Sequence, residues 1–314
     1  MLNRRMLRIK VMQALYGFFQ SGSSDLGIAE NGLFRSLDRI YDLYLLQFLL
    51  FDGLHREALR DREESRKKFF PDEEDLMVTT AFTENPFLLA VSESESLRKA
   101  INARKLSWHK HPDISEKIFR RIKQMPEYKL YIHKPEPTLQ VHKDFLRDVI
   151  KNVLWEEEYL QGIYEEENIH WGDDIDLVNI TVLKAVENFN PDRGIQLTGL
   201  YKDEKEDMDF VRTLFRRNIL NNDELEQRIT PNTKNWEVER IAYMDMLLMK
   251  MAVCELLEFP SIPIKVSLNE YIEISKLFST PKSNSFINGI LDKIALQLKE
   301  EGKIKKTGRG LIEN

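Results

Sequence analysis

The sequence predicts an all-α protein. Nearly every long segment repeats its apolar residues with a period near 3.6, and strictly alternating stretches are scarce. Turn-forming residues are few, 13 glycines and 11 prolines in 314 residues, which is too little punctuation for a fold of many short strands. They also cluster, at "FFPDEED", "TENPFL", "HKHPD", "IHKPEPT" and "NPDRGIQLTG", all between about positions 70 and 200. The outer thirds of the chain therefore read as longer, less interrupted helices.

The first helix is expected over 3–20. Leu7, Val11, Leu15 and Phe18 follow at spacings of three or four, and "QSGSSD" ends it. Its basic start and apolar continuation imitate a signal peptide, but Gln13 interrupts the apolar part, charges reach Lys10, and no small-residue cleavage site follows. Residues 29–66 read as one or two helices ending in "HREALRDREESRKK". Within them "YLLQFLLF" is the most apolar run, too short to span a bilayer and bounded by Asp42 and Asp52. A cytoplasmic protein with no membrane segment is expected.

The middle of the chain carries a candidate repeat. "DFLRDVI" begins at Asp144 and "DFVRTLF" at Asp209, and the same offset of 65 pairs Leu160 with Leu225, Trp171 with Trp236 and Leu183 with Leu248. Segments 144–190 and 209–258 then read as copies of one unit: a helix, a turn, a tryptophan and a second apolar helix. Next, "NWEVERIAYMDMLLMKMAVCELLEF" is apolar nearly all round in its second half, so it belongs at the centre of a core. "PSIP" stops it, and "IKVSLNEYIEISKLFS" begins another helix with Leu268, Ile272 and Leu277 expected inward.

The last helix holds a conflict, because Asn288-Gly289 is a hairpin-turn dipeptide. Neither flank alternates, however, while Ile287, Ile290, Leu291, Ile294 and Leu298 form one helical stripe. A helix through Gly289 follows, at a cost of about 1 kcal/mol relative to alanine. Thr280 is its expected N-cap and Pro281 its first residue. At about 100° per residue, Phe286 falls outside the apolar stripe, on the side of Lys282, Gly289, Lys293 and Gln297. An aromatic, two lysines and a glycine sharing a face suit a surface that stacks a base and neutralises phosphates. The other reading is a packing one: Phe286 lies against a neighbouring helix and Gly289 lets that helix cross closely.

Composition limits what such surfaces do. The chain is 42% hydrophobic and 31% charged, an ordinary globular mixture long enough for one large or two ordinary domains. The net charge of −6 excludes a uniformly basic nucleic-acid binder. The acids concentrate in "WEEEYLQGIYEEEN" and "KDEKED", whereas Arg4, Arg5, Arg8 and Lys10 precede the first acid, Asp25, and the tail carries Lys303, Lys305, Lys306 and Arg309. A local basic patch on an acidic body remains compatible with nucleic acid. Arg4, Arg5 and Arg8 share one helix face and are either a phosphate-binding stripe or an ordinary solvated helix end. Cations at a helix N-terminus oppose the dipole, which favours the first. Cys254, the only cysteine, permits no disulfide within the chain and reads as a small core residue.

These stretches resemble a known family. "RRMLRIKVMQALYGF" resembles the first helix of NusB, the transcription antitermination factor, and "MKMAVCELLEFPSIPIKVSLNEYIEISKLFSTPKSNSFINGILDKIA" resembles its C-terminal half. The resemblance implies an all-helical, NusB-like bundle of two subdomains, enlarged here by a mostly helical insertion containing the hairpin repeat. The expected division is 1–60 for the N-terminal NusB-like helices and 61–205 for the insertion, with the partial repeat at 144–190. The C-terminal NusB-like subdomain follows at 206–300 and a basic flexible tail at 301–314. It further implies a partnership with the small-subunit ribosomal protein NusE, binding of boxA-type RNA, and action within the RNA polymerase antitermination complex. Carried over by position, the RNA contacts fall on Arg4, Arg5, Arg8, Lys282, Phe286, Gly289 and Lys293, and the NusE contact on Tyr16. Met6 stands where the family often has a further basic residue, and Lys282 stands where an acid is common.

Enzymatic readings find little support. There is no Gly-rich phosphate loop and no Cys/His metal spacing, so no cofactor, metal or catalytic residue is expected. "HKH" at 109–111 offers two histidines without a third ligand, and Asp173, Asp174 and Asp176 suit helix capping better than acid–base chemistry. Two functions remain: an RNA-binding antitermination factor, or a helical protein-interaction scaffold that does not bind RNA.

Overall fold

A computed structural model describes residues 1–67, 80–233 and 242–311. The described residues form α-helices and short 3-10 or π turns, with no β-strand. They divide into two units, one of Met1 with Asp38–Leu200 and the other of Leu2–Leu37 with Tyr201–Asn314.

The second unit begins with α1 (Arg4–Gln20), where the Asn3 side chain accepts from the Met6 amide at 2.9 Å. As its spacing predicts, α1 buries Leu7, Val11, Leu15 and Phe18. Helix α2 (Leu26–Lys67) is one helix of 42 residues, of which Leu26–Leu37 belongs here. Residues 38–60, expected to group with α1, fall in the other unit. Four further helices follow: α10 (Glu204–Leu220), α11 (Asn222–Ile229), α12 (Tyr243–Glu258) and α13 (Ile264–Phe278). The last is α14 (Ser283–Glu300). Helix α12 is central, packing against α1, α10, α11, α13 and α14, and is buried on every side over Leu247–Leu256 because most of that stretch is apolar. Cys254 is buried in it, as expected. Helix α13 turns differently from the expectation. Tyr271 and Ile274 face inward with Leu268, while Leu277 is 69% exposed. Placing Tyr271 against Glu255 on α12 rotates the stripe by one residue, which carries Leu277 outward. Residues 303–311 lie along the α12–α13 loop, with Thr307 donating its amide to the Pro260 carbonyl at 3.0 Å.

The first unit holds the rest of α2 with α3 (Pro86–Glu93), α4 (Glu95–Arg104), α5 (Ile114–Lys123) and α6 (Pro126–Ile132). It also holds α7 (Leu139–Val149, continued by a π turn to Leu154), α8 (Glu158–Glu167) and α9 (Trp171–Glu187). The apolar run of α2 is buried around Tyr44, Phe48 and Phe51, and no described helix is long and apolar enough to cross a membrane. The offset of 65 recurs in three dimensions. Thr138 caps α7 and Asp203 caps α10, and Phe145, Leu146, Val149 and Ile150 are buried as are Phe210, Val211, Leu214 and Phe215. Leu160 and Leu225 are both buried in the short second helix of each copy. Trp171 is buried, but its counterpart Trp236, with the start of the helix expected from Asn235, lies outside the described residues. The acids of "WGDDID" are not caps. Helix α9 already begins at Trp171, which puts Asp173 and Asp174 in its first turn, where they complement the dipole.

Candidate functional site

The α1 arginines line a cleft of about 1240 Å³ formed with α10, the α12–α13 loop, the start of α13 and Arg309. Helical spacing puts them on one face, as expected, but the three have different fates. Arg8 is only 2% exposed, and its guanidinium donates to both carboxylate oxygens of Glu255, at 2.8 and 2.6 Å. Ser267 and Tyr271 hydroxyls donate to the same carboxylate at 2.7 and 2.9 Å, completing its coordination. Burial opposes the Arg8 charge, yet the hydrogen bonds and charge of Glu255 outweigh it, and the guanidinium is held more firmly protonated than a free arginine. Arg8 is therefore a core residue and not a phosphate contact. The reason is an acid inside an apolar helix: a buried Glu255 requires a cation, and Arg8 meets it with two hydrogen bonds.

Arg4 and Arg5 remain at the cleft surface but are paired. Arg4 contacts Glu206 at 2.6 Å and Asp207 at 3.3 Å and lies over the Phe210 ring, 4.4 Å from its centroid. Arg5 makes a two-pronged contact with Glu270, at 2.9 and 2.8 Å, which raises its pKa. Tyr16, further along α1, is 42% exposed and meets Tyr243 edge-on at 5.5 Å.

Helix α14 carries the other predicted face. It runs through Asn288-Gly289 as a helix, burying Ile287, Ile290, Leu291, Ile294 and Leu298. Its start differs from the expectation: Thr280 and Pro281 precede it in a turn, and regular helix begins at Ser283 with Lys282 as N-cap. The buried carboxylate of Asp245 on α12 decides this, accepting from the Ser279 hydroxyl and, at 2.8 Å, from the Ser283 hydroxyl. Lys282, Gly289 and Lys293 are exposed and Phe286 is half-buried. A Cβ built on Gly289 meets nothing within 4 Å, so this glycine does not serve a close helix crossing. Gln297 is occupied by a reciprocal amide pair with Asn232, at 3.1 and 3.2 Å. None of Lys282, Phe286, Gly289 or Lys293 lines the arginine cleft. The two predicted patches are thus not brought into one cavity.

Residues 183–296 match the family model described as the NusB family. The transcription antitermination protein NusB of Salinibacter ruber is 47% identical over 104 residues, covering 33% of this chain and 65% of that protein. That of Chloroherpeton thalassium is 41% identical over 105 residues, or 33% of this chain and 50% of that protein. That of Natranaerobius thermophilus is 37% identical over 89 residues, or 28% and 64%. The chain carries a NusB-family domain at residues 183–296. It spans between half and two-thirds of the length of these curated relatives, and no solved structure matches it significantly.

The NusB-family domain contains Lys282, Phe286, Gly289 and Lys293, whereas Arg4, Arg5, Arg8 and Tyr16 lie outside the matched range. It begins inside α9, earlier than the start expected for the C-terminal subdomain at 206. Sequence reasoning missed Glu255, Asp245 and Lys265, although an acid in "MAVCELL" is a signal for a buried ion pair. It also missed the placement of Arg309 in the cleft, which has no local sequence signal. Outside the domain, His111 lies 3.5 Å and Lys110 2.9 Å from Glu167, and His109 pairs with Ser107, so "HKH" serves a surface network. The described residues hold no group of three or more potential metal ligands.

Proposed function

We propose that this protein is a non-catalytic RNA-binding transcription antitermination factor. It acts with the small-subunit ribosomal protein NusE on boxA-type RNA during ribosomal RNA transcription, in the cytoplasm and within the RNA polymerase antitermination complex. The observation that carries the reading is the outer face of α14. There a NusB-family domain exposes Lys282, Gly289 and Lys293 around a half-buried Phe286, with open space over the glycine. Two cations and a ring are what an unpaired base and its phosphates require. Tyr16 and its neighbour Tyr243 supply an aromatic surface for the protein partner.

The test is a mobility shift on a boxA-type RNA, with and without the ribosomal partner. Phe286→Ala is expected to weaken binding by roughly tenfold, the value of one lost stacking contact. Lys282→Glu with Lys293→Glu is expected to weaken it further and to reduce its salt dependence. One observation favours the scaffold reading: every arginine of the α1 stripe is already paired with an acid. If the α14 variants bind as the parent does in the presence of the partner, the scaffold reading replaces the RNA reading.

A further inference from the structure

The arginine cleft has a wall that lies outside the NusB-family match. Residues 303–311 form a strap along the α12–α13 loop, and its attachments are specific. Lys306 donates its ammonium to the Leu256 and Phe259 carbonyls, at 3.3 and 3.0 Å, at the end of α12. The Thr307 amide donates to the Pro260 carbonyl at 3.0 Å. Gly310 is buried against the same residue, where an added Cβ would come within 2.0 Å of the Pro260 oxygen. Only glycine fits there, and its neighbour Arg309 is thereby set into the lining of the cleft.

Most charges of the cleft are paired. Arg4 is taken by Glu206 and Asp207, Arg5 by Glu270 and Arg8 by Glu255. The remaining acids are also matched, Asp209 by Arg212 at 3.4 Å and Glu258 by Arg217 at 3.1 Å. Two lining cations are left over. Lys265, in the first turn of α13, and Arg309, on the strap, are exposed and have no side-chain partner among the described residues. Every acid in the lining has a basic partner, whereas these two cations have none, so they are the groups left for an anionic ligand. Beside them Ile262, Pro263 and Val266 give an apolar floor. The volume exceeds that of a pocket for a drug-sized ligand and suits a length of chain.

We propose that Lys265 and Arg309 form a second RNA-contact patch, gripping phosphates of the single strand while its bases rest on the Ile262–Val266 floor. The strap is then a binding element, and the cations the RNA meets in this cleft are these two and not the paired arginines of α1. This rests on the RNA reading above. It adds that the C-terminal strap, beyond the family match, takes part.

The test uses the full chain with its ribosomal partner and a boxA-type RNA, titrated at several salt concentrations. Arg309→Glu and Lys265→Glu are each expected to weaken binding by about threefold or more. Arg309→Ala should make the slope of log K against log salt shallower by about 0.7, the value for one single-strand phosphate contact. Gly310→Val, which dislodges the strap while keeping the arginine, should reproduce the loss. Lys151→Glu, the same charge change in the other unit, is the control and should have no effect. If Arg309→Glu and Lys265→Glu match that control while Phe286→Ala still loses affinity, the strap proposal is overturned and the RNA reading stands. If the parent complex binds no RNA, both fall. If Arg309→Glu weakens binding of the ribosomal protein in the absence of RNA, the cleft is a protein contact and the proposal is again overturned.

Discussion

Replacing Arg8 by methionine separates a structural arginine from a ligand-binding one. The substitution keeps an unbranched side chain of similar length but removes two hydrogen bonds, of 2.8 and 2.6 Å, from a carboxylate that is 0% exposed. Glu255 then keeps only the neutral hydroxyls of Ser267 and Tyr271. Removing one partner of a buried pair costs about 3–5 kcal/mol. For a unit of this size that corresponds to roughly 6–20 °C in Tm. Arg8→Met combined with Glu255→Met removes the stranded charge. It leaves two hydroxyls short of an acceptor, at about 1 kcal/mol each, so the double variant should melt above the single one. Thermal unfolding followed by circular dichroism reads both quantities, and RNA affinity is measured alongside. An unchanged Tm with a lost RNA affinity would refute the reasoning and return Arg8 to the phosphate-binding stripe that its sequence position suggests.

Three further outcomes are expected. Gly53 on α2 lies against Ser115 on α5, where an added Cβ would stand 2.1 Å from the Ser115 hydroxyl oxygen and 3.0 Å from its Cβ. Gly53→Ala should therefore destabilise by about 1–3 kcal/mol in a denaturant titration, and an unchanged midpoint would show that the helices can part without cost. Cys254 is buried and its thiol is pushed up by burial, so a thiol-specific reagent should modify it only after unfolding; rapid reaction with the native protein contradicts this. Burial lowers the pKa of His142, which contacts the Tyr131 hydroxyl at 2.6 Å, from its ordinary 6.5. The neutral ring is the folded form, so stability is intact above about 6.5 and falls as pH drops through that value toward the folded pKa. His142→Gln should flatten that limb of the Tm–pH curve, and an identical curve would remove His142 as its source.

By itself the sequence determined the helices, because periodicity is a local property: α1, α12 and the passage of α14 through Asn288-Gly289 follow from the spacing of apolar residues alone. It also carried the outward placement of Lys282, Gly289 and Lys293, since the face of an amphipathic helix is fixed by its own residues. What it left open was every question decided by a distant partner. Arg4, Arg5 and Arg8 are equivalent on a helical wheel, but Glu255 draws one into the core and Glu206 and Glu270 hold the others at the cleft. Leu277 has the spacing of a core residue, yet Tyr271 takes the inward side of α13 by reaching Glu255. Thr280 has the chemistry of an N-cap, yet Asp245 on α12 sets the start of α14. Arg309 stands in a tail whose composition suggests disorder, and only the fit of Gly310 against Pro260 turns it into part of a site. Secondary structure depends on neighbours within a few residues, whereas the pairing of buried charges depends on which groups packing brings together. For that reason only the tertiary structure could distinguish the charges that hold this fold together from those left to meet a ligand.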